Sequence, residues 1–172
     1  MGQMSLIRKK LRETLFFFLR LSDENGLSGL VEEDAEFYTS AFLSAGRSVV
    51  GFFDGRQNVY YRQWYRDWKM CLPETDRKLL NEMACQRDLV VHEGGAYIVP
   101  EIELVPQGKD SAGLSYEYLS TECLPDKSTP SLRKKKYYFW INGKRLDAVS
   151  TCERYLEFLL KLVTDFEESL SA

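Results

Sequence analysis

The residues best suited to chemistry lie near the end of the fourth predicted helix, in the segment 87–92, which reads RDLVVH. Arg87 carries a planar guanidinium that matches phosphate and carboxylate groups. His92 is the one histidine of the chain, and an imidazole titrates near neutral pH, so it can donate or accept a proton during a reaction. Asp88 follows the arginine in the same segment. We therefore select Arg87, Asp88 and His92 as candidate catalytic residues.

The helix that carries this segment decides whether the two side chains meet. Arg87 falls four residues after Met83 and three after Ala84, so it shares their apolar side. His92 lies about 140° farther around the helix, but it falls where a Gly-Gly pair ends the helix and its ring can turn back. The pattern predicts one cleft shared by Arg87 and His92. The alternative is structural, with the arginine in an ion pair and the histidine capping the last carbonyls.

Three further cations are candidate ligands for phosphate or RNA. Arg47 lies within an apolar helix, where it either contacts a phosphate or serves as the partner of a structural ion pair. Lys134 and Lys135 belong to a basic run that is the best local candidate for a phosphate contact. The alternative for this run is a solvated stretch that protects a strand edge.

The composition limits the classes of function that the chain can have. A net charge of -3 means that the chain as a whole does not attract nucleic acid, so any such contact must be local. The spacing of the cysteines and the histidine does not fit a zinc site, and we expect no metal and no cofactor. The four cysteines are interpreted as reduced thiols of a cytoplasmic protein. No apolar run has the length of a membrane span.

Periodicity and turn signals predict a mainly α fold (α+β). We expect a single domain over residues 1–172, an up-and-down bundle of four to five helices with a small antiparallel β insertion at 96–149 before a closing helix at 150–170. The apolar spacing places one face of each of the first two helices toward the core. These faces carry Leu11, Leu15, Phe18 and Leu19 in the first helix and Phe37, Ala41, Phe42, Ala45, Val49 and Phe52 in the second. Asn142-Gly143 predicts a tight hairpin turn. The predicted helices span 6–21, 32–53, 60–72, 74–92 and 150–170, and the predicted strands 97–105, 114–119, 136–141 and 144–149.

An aromatic-rich segment forms most of the third predicted helix. Trp64, Tyr65 and Trp68 could stack nucleic-acid bases. The alternative, which we favour, is that these rings belong to the core or to a dimer interface.

The run 37–48, FYTSAFLSAGRS, followed by the segment 87–94, resembles the HEPN superfamily of helical proteins, which carry an arginine, a polar residue and a histidine near the end of a core helix. The resemblance implies a homodimer whose two motifs face a shared cleft, and metal-independent cleavage of RNA. His92 would then act as general acid or base, and Arg87 would hold the scissile phosphate. Asp88 replaces the family's commoner asparagine, and Gly94 stands where modified members carry a tyrosine.

The leading hypothesis is thus a metal-independent endoribonuclease of toxin or defence type. The alternative is a non-catalytic helical module that binds a nucleotide, RNA or a protein partner through the same cleft, or a structural scaffold.

RNA cleavage in the presence of EDTA tests the ribonuclease hypothesis. The wild-type chain should cleave RNA, and His92→Ala should abolish cleavage while the variant stays folded, because the reaction then lacks its proton carrier. Cleaved fragments are measured on a gel. An inactive wild-type chain would favour the binding module.

Overall fold

The computed structural model describes residues 3–22, 32–55, 58–93, 98–105, 132–141 and 143–171, with side chains except those of 32–33, 89–93, 99–105 and 132–135. It confirms a mainly helical fold with a small antiparallel sheet before the last helix. The helices of this part of the chain are α1 (Gln3–Ser22), α2 (Glu32–Asp54), α3 (Val59–Cys71), α4 (Glu74–Glu93) and α5 (Ala148–Ser171). The strands are β1 (Ile98–Val105), β2 (Leu132–Ile141) and β3 (Lys144–Asp147).

Local signals explain where the helices begin. The side chain of Asn58 caps α3 by accepting hydrogen bonds from the backbone N–H groups of Tyr60 and Tyr61. Pro73 precedes α4, and its carbonyl accepts the first hydrogen bonds of that helix. These short-range contacts account for the close agreement between the predicted and observed starts of both helices.

The core lies where α2 meets α5. Phe42, Val49 and Phe53 of α2 are fully buried. Helix α5 buries residues on successive turns along most of its length, which is the pattern of a helix in the centre of a bundle. Its buried side chains are Ala148, Cys152, Tyr155, Leu156, Phe158, Leu159, Leu162, Val163 and Phe166.

Gly46 marks the closest approach of these two helices. A Cβ atom at this position would lie 2.7 Å from Cε1 of Tyr155 and 3.1 Å from Cδ1 of Leu159. Since Tyr155 is only 2% exposed, its ring has no space to move aside. The absence of a side chain at Gly46 therefore lets α2 lie close against α5.

The sheet has the order β1-β2-β3 with both pairs antiparallel. Gly143 adopts φ +72° in the turn between β2 and β3, which confirms the predicted hairpin. Pro100 lies in β1, which is an edge strand of the sheet formed by the described residues, where a proline is tolerated. Tyr137, Phe139 and Ile141 of β2 are buried, on the side of the sheet that packs on α5. The predicted strand 114–119 lies outside the described residues.

The boundary between β3 and α5 was predicted wrongly. Residues 148 and 149 were assigned to a strand, whereas the helix already begins at Ala148. The cause is Asp147, whose Oδ1 accepts a hydrogen bond of 2.8 Å from the backbone N–H of Ser150. An aspartate that satisfies a free N–H in this way begins a helix.

The predicted inward faces of α1 and α2 are confirmed in part. Phe42, Ala45 and Val49 are buried, and Leu11, Phe18 and Phe52 pack against the core. Leu15, Leu19 and Phe37, however, are 40%, 56% and 67% exposed. The buried positions of α1 are Ile7, Thr14 and Leu21. Thr14 can lie in the core because its hydroxyl donates to the carbonyl of Lys10. Apolar spacing alone left the rotation of each helix undetermined by about one residue.

Two glycines of α2 give a matched test of the packing. Gly46→Ala should lower the free energy of unfolding by about 1–3 kcal/mol, the usual cost of overfilling a core. Gly51→Ala should raise it by about 1 kcal/mol, because no atom lies within 4 Å of the added methyl group and alanine favours the helix. Urea denaturation measures both values. Equal effects of the two substitutions would contradict the close approach at Gly46.

Candidate functional site

The structure joins two of the three predicted catalytic residues. Nη1 of Arg87 donates to Oδ1 of Asp88 at 3.0 Å, in an ion pair near the surface. Nε of Arg87 is buried and has no acceptor within the described part of the chain. Helix α4 ends at Glu93, one residue after His92, as predicted. The side chain of His92 lies outside the described residues, so its convergence with Arg87 stays a prediction.

Arg47 lies in a different place, in a cleft of about 370 Å³ between α2, α3, α4 and α5. We call it the arginine cleft. Arg47 and Asp54 come from α2, and Tyr155 comes from α5. Residues close in space here are separated by up to 108 positions along the chain. The lining residues are Arg47, Val50, Asp54, Arg62, Tyr65, Arg66, Lys69, Leu80, Asn81, Ala84 and Tyr155.

Most of the positive charge of the cleft comes from α3. Arg62, Arg66 and Lys69 recur at steps of four and three residues, so they share one side of the helix. This pattern was visible in the sequence, but cations at such spacing usually form a solvated face, and the sequence interpretation passed over them. Arg62 and Arg66 became candidates only when the structure placed them opposite Arg47.

The aromatic face of α3 explains why its basic side meets the cleft. The rings of Trp64 and Tyr61 pack on Phe166, with centroids 4.8 Å and 4.5 Å away. Nε1 of Trp68 donates to Asp165 at 2.7 Å. These contacts anchor α3 on α5 and favour the core assignment over base stacking for Trp64 and Trp68.

Within the described residues, the arginines of the cleft have no carboxylate partner in an ion pair. Arg47, Arg62 and Arg66 form no ion pair with any described residue, although the chain has 26 acidic residues. The structural alternative for Arg47, an ion pair, is thus not found in the described part of the chain. Nζ of Lys69 donates to Oδ1 of Asn81, a neutral acceptor, at 3.1 Å. Among the lining residues, Asp54 is therefore the one acidic side chain that opposes the positive charge of the cleft.

Two buried tyrosines complete the lining. Burial raises the pKa of Tyr65 to about 12, and the negative charge of Asp54 adds to this shift while Arg47 opposes it. Burial likewise raises the pKa of Tyr155 well above its usual range. Both phenols therefore stay neutral at physiological pH and do not cancel the charge of the arginines.

The cleft has the chemistry of an anion site. Guanidinium groups bind phosphate through two parallel hydrogen bonds, and a lysine adds a point charge. Among the described residues, no group of His, Cys, Asp and Glu side chains could hold a metal ion. In that same part of the chain, no helix has the length and apolar content needed to cross a membrane.

Lys134 and Lys135 lie in β2, where their backbones pair with Glu103 and Ile102 of β1. Their side chains are outside the described part, so their contact with phosphate or RNA stays a prediction.

Comparison with known proteins adds no relative. No family model matches the chain, and no curated protein or solved structure shows significant similarity to it. The resemblance to the HEPN superfamily therefore stays a prediction.

The pKa of Tyr65 gives a test of the cleft lining at high pH. The folded chain retains the phenolic proton up to about pH 12, whereas the unfolded chain loses it near pH 10. The contribution of Tyr65 to the free energy of unfolding is therefore fully present below pH 10. It is lost as the pH rises from 10 to 12, where only the folded state keeps the proton.

Tyr65→Phe should lose less stability than the wild-type chain between pH 9 and pH 11. Urea denaturation at the two pH values measures the difference, and ultraviolet absorbance of tyrosinate assigns it. An identical fall in both proteins would show that Tyr65 ionises normally.

Proposed function

We propose that this protein is a helical module that binds a ligand with two or more phosphate groups, such as a nucleotide, in the arginine cleft. The observation that carries the proposal is that Arg47, Arg62 and Arg66 face one cavity without an ion pair in the described part of the chain. The net charge of the chain is -3. Four cations and one carboxylate line the cleft, and an excess of positive charge in one cavity of an acidic chain is typical of a site for an anion.

The dimensions of the cleft favour a small ligand. Its volume of about 370 Å³ lies in the range of roughly 300–1,000 Å³ that is usual for sites of small molecules and cofactors. Val50, Leu80 and Ala84 give part of the wall an apolar character. A ligand that joins several charged phosphates to a less polar group would match this cleft. Its phosphates would lie against the cations and its less polar group against the apolar residues.

A second candidate is the ribonuclease of the sequence interpretation. Arg87 follows Ala84 by three residues and Leu80 by seven, so it lies on the side of α4 that walls the cleft. Arg87 does not line the cleft itself. An RNA phosphate held in the arginine cleft would therefore lie within a turn or two of α4 from Arg87. Cleavage by His92, assembly as a homodimer and a cytoplasmic location stay parts of this proposal.

Binding of pyrophosphate tests the proposed function. Isothermal titration in EDTA should detect binding to the wild-type chain. Arg62→Gln and Arg66→Gln should each weaken it at least about tenfold, since a hydrogen bond to a charged group contributes about 1.5–3 kcal/mol. Binding should also weaken as salt rises, because the attraction is electrostatic.

Arg12→Gln is the matched control. Arg12 is an exposed arginine of α1 that lies outside the cleft. Its substitution should leave the affinity for pyrophosphate unchanged. An equal loss in all three variants, or a wild-type chain that does not bind pyrophosphate at millimolar concentration, would overturn the proposal.

A further inference from the structure

A carboxylate stands among the cations of the arginine cleft. Asp54 lines the same cavity as Arg47, Arg62 and Arg66, and its side chain is exposed. It forms no ion pair with any described residue. Within the described part of the chain, no cation takes up its oxygens, and a carboxylate at this place repels the phosphate that its neighbours attract.

The position of Asp54 gives it no stabilising role in its own helix. It is the last residue of α2, where the partial negative charge of the helix end disfavours an acidic side chain. It also raises the pKa of the Tyr65 hydroxyl and so opposes ionisation of a buried neighbour. Neither local structure nor phosphate binding accounts for an aspartate here.

We infer that Asp54 accepts hydrogen bonds from the ribose hydroxyls of a ribonucleotide whose phosphates lie on the arginines. This assignment rests on the proposed function and names its ligand class. Ribose hydroxyls are donors, and an acidic side chain is the usual acceptor for them in nucleotide sites. A ribonucleotide carries both of the groups that the cleft requires, anionic oxygens for Arg62 and Arg66 and hydroxyl donors for Asp54.

The competing explanation is that Asp54 only lowers the positive charge of the cleft. The two explanations differ in what one substitution does to the preference for ribose hydroxyls. If Asp54 only lowers the charge, its removal strengthens the binding of every anion and leaves the ratio of affinities for a ribonucleotide and its dideoxy analogue unchanged. If Asp54 holds ribose, its removal abolishes that ratio, because hydrogen bonds to the hydroxyls are lost in addition to the repulsion of phosphate.

The experiment compares pyrophosphate, adenosine diphosphate and 2′,3′-dideoxyadenosine diphosphate by isothermal titration in EDTA. The wild-type chain should bind adenosine diphosphate about tenfold more tightly than its dideoxy analogue, since hydrogen bonds to a charged acceptor are lost. Asp54→Ala should remove this preference and increase the affinity for pyrophosphate, whereas Asp54→Asn should increase the affinity for pyrophosphate and only reduce the preference, because its amide oxygen is a neutral acceptor.

Asp67→Asn is the control, because Asp67 is an exposed aspartate of α3 whose oxygens accept from Gln63 outside the cleft. It should change none of the three affinities. Circular dichroism confirms that the variants fold.

The outcomes separate the two proposals. Binding of pyrophosphate with equal affinities for the two adenosine ligands would overturn the ribose assignment and leave the phosphate site intact. A preference for adenosine diphosphate over its dideoxy analogue that persists in Asp54→Ala would do the same. A wild-type chain that binds none of the probes would overturn both proposals.

Discussion

The structure depends on the close approach of α2 and α5 at Gly46. Tyr155 and Leu159 occupy the space that any larger residue at this position would need. Because protein interiors are packed nearly as densely as crystals, this contact determines how the two central helices lie against each other. The next residue of α2 is Arg47, so the same contact brings a guanidinium beside the buried ring of Tyr155 and forms one wall of the arginine cleft.

Helix α3 has two sides that make different contacts. Its aromatic side, with Tyr61, Trp64 and Trp68, packs on Phe166 and Phe158 of α5. Because the aromatic side is packed on α5, the other side of α3 faces α2 and α4. The cations of that side meet Arg47 without any local attraction between them. The burial of the aromatic side chains provides the free energy that keeps these like charges close together in one cleft, against their mutual repulsion.

A cluster of cations without carboxylate partners is unfavourable for folding on its own. Arg47 is half-buried, so solvent screens its repulsion from the other cations less than at the open surface. Tyr65 and Tyr155, held neutral by burial, do not relieve this repulsion. Residues that oppose stability and share a cavity are typical of functional sites, where binding of a ligand restores the balance. The arginine cleft is therefore a stronger candidate site than the surface pair of Arg87 and Asp88.

By itself the sequence determined the elements and their order. Caps and turns such as Asn58 and Gly143 depend on a few neighbouring residues, and their chemistry can be recognised without a fold. Tertiary structure decided which sides of the helices face inward, as the exposed Phe37 shows. It also decided the composition of the arginine cleft, because Arg47 and Arg62 lie on different helices and nothing local relates them. A helix buries whichever face its neighbours cover, and those neighbours come from distant parts of the chain.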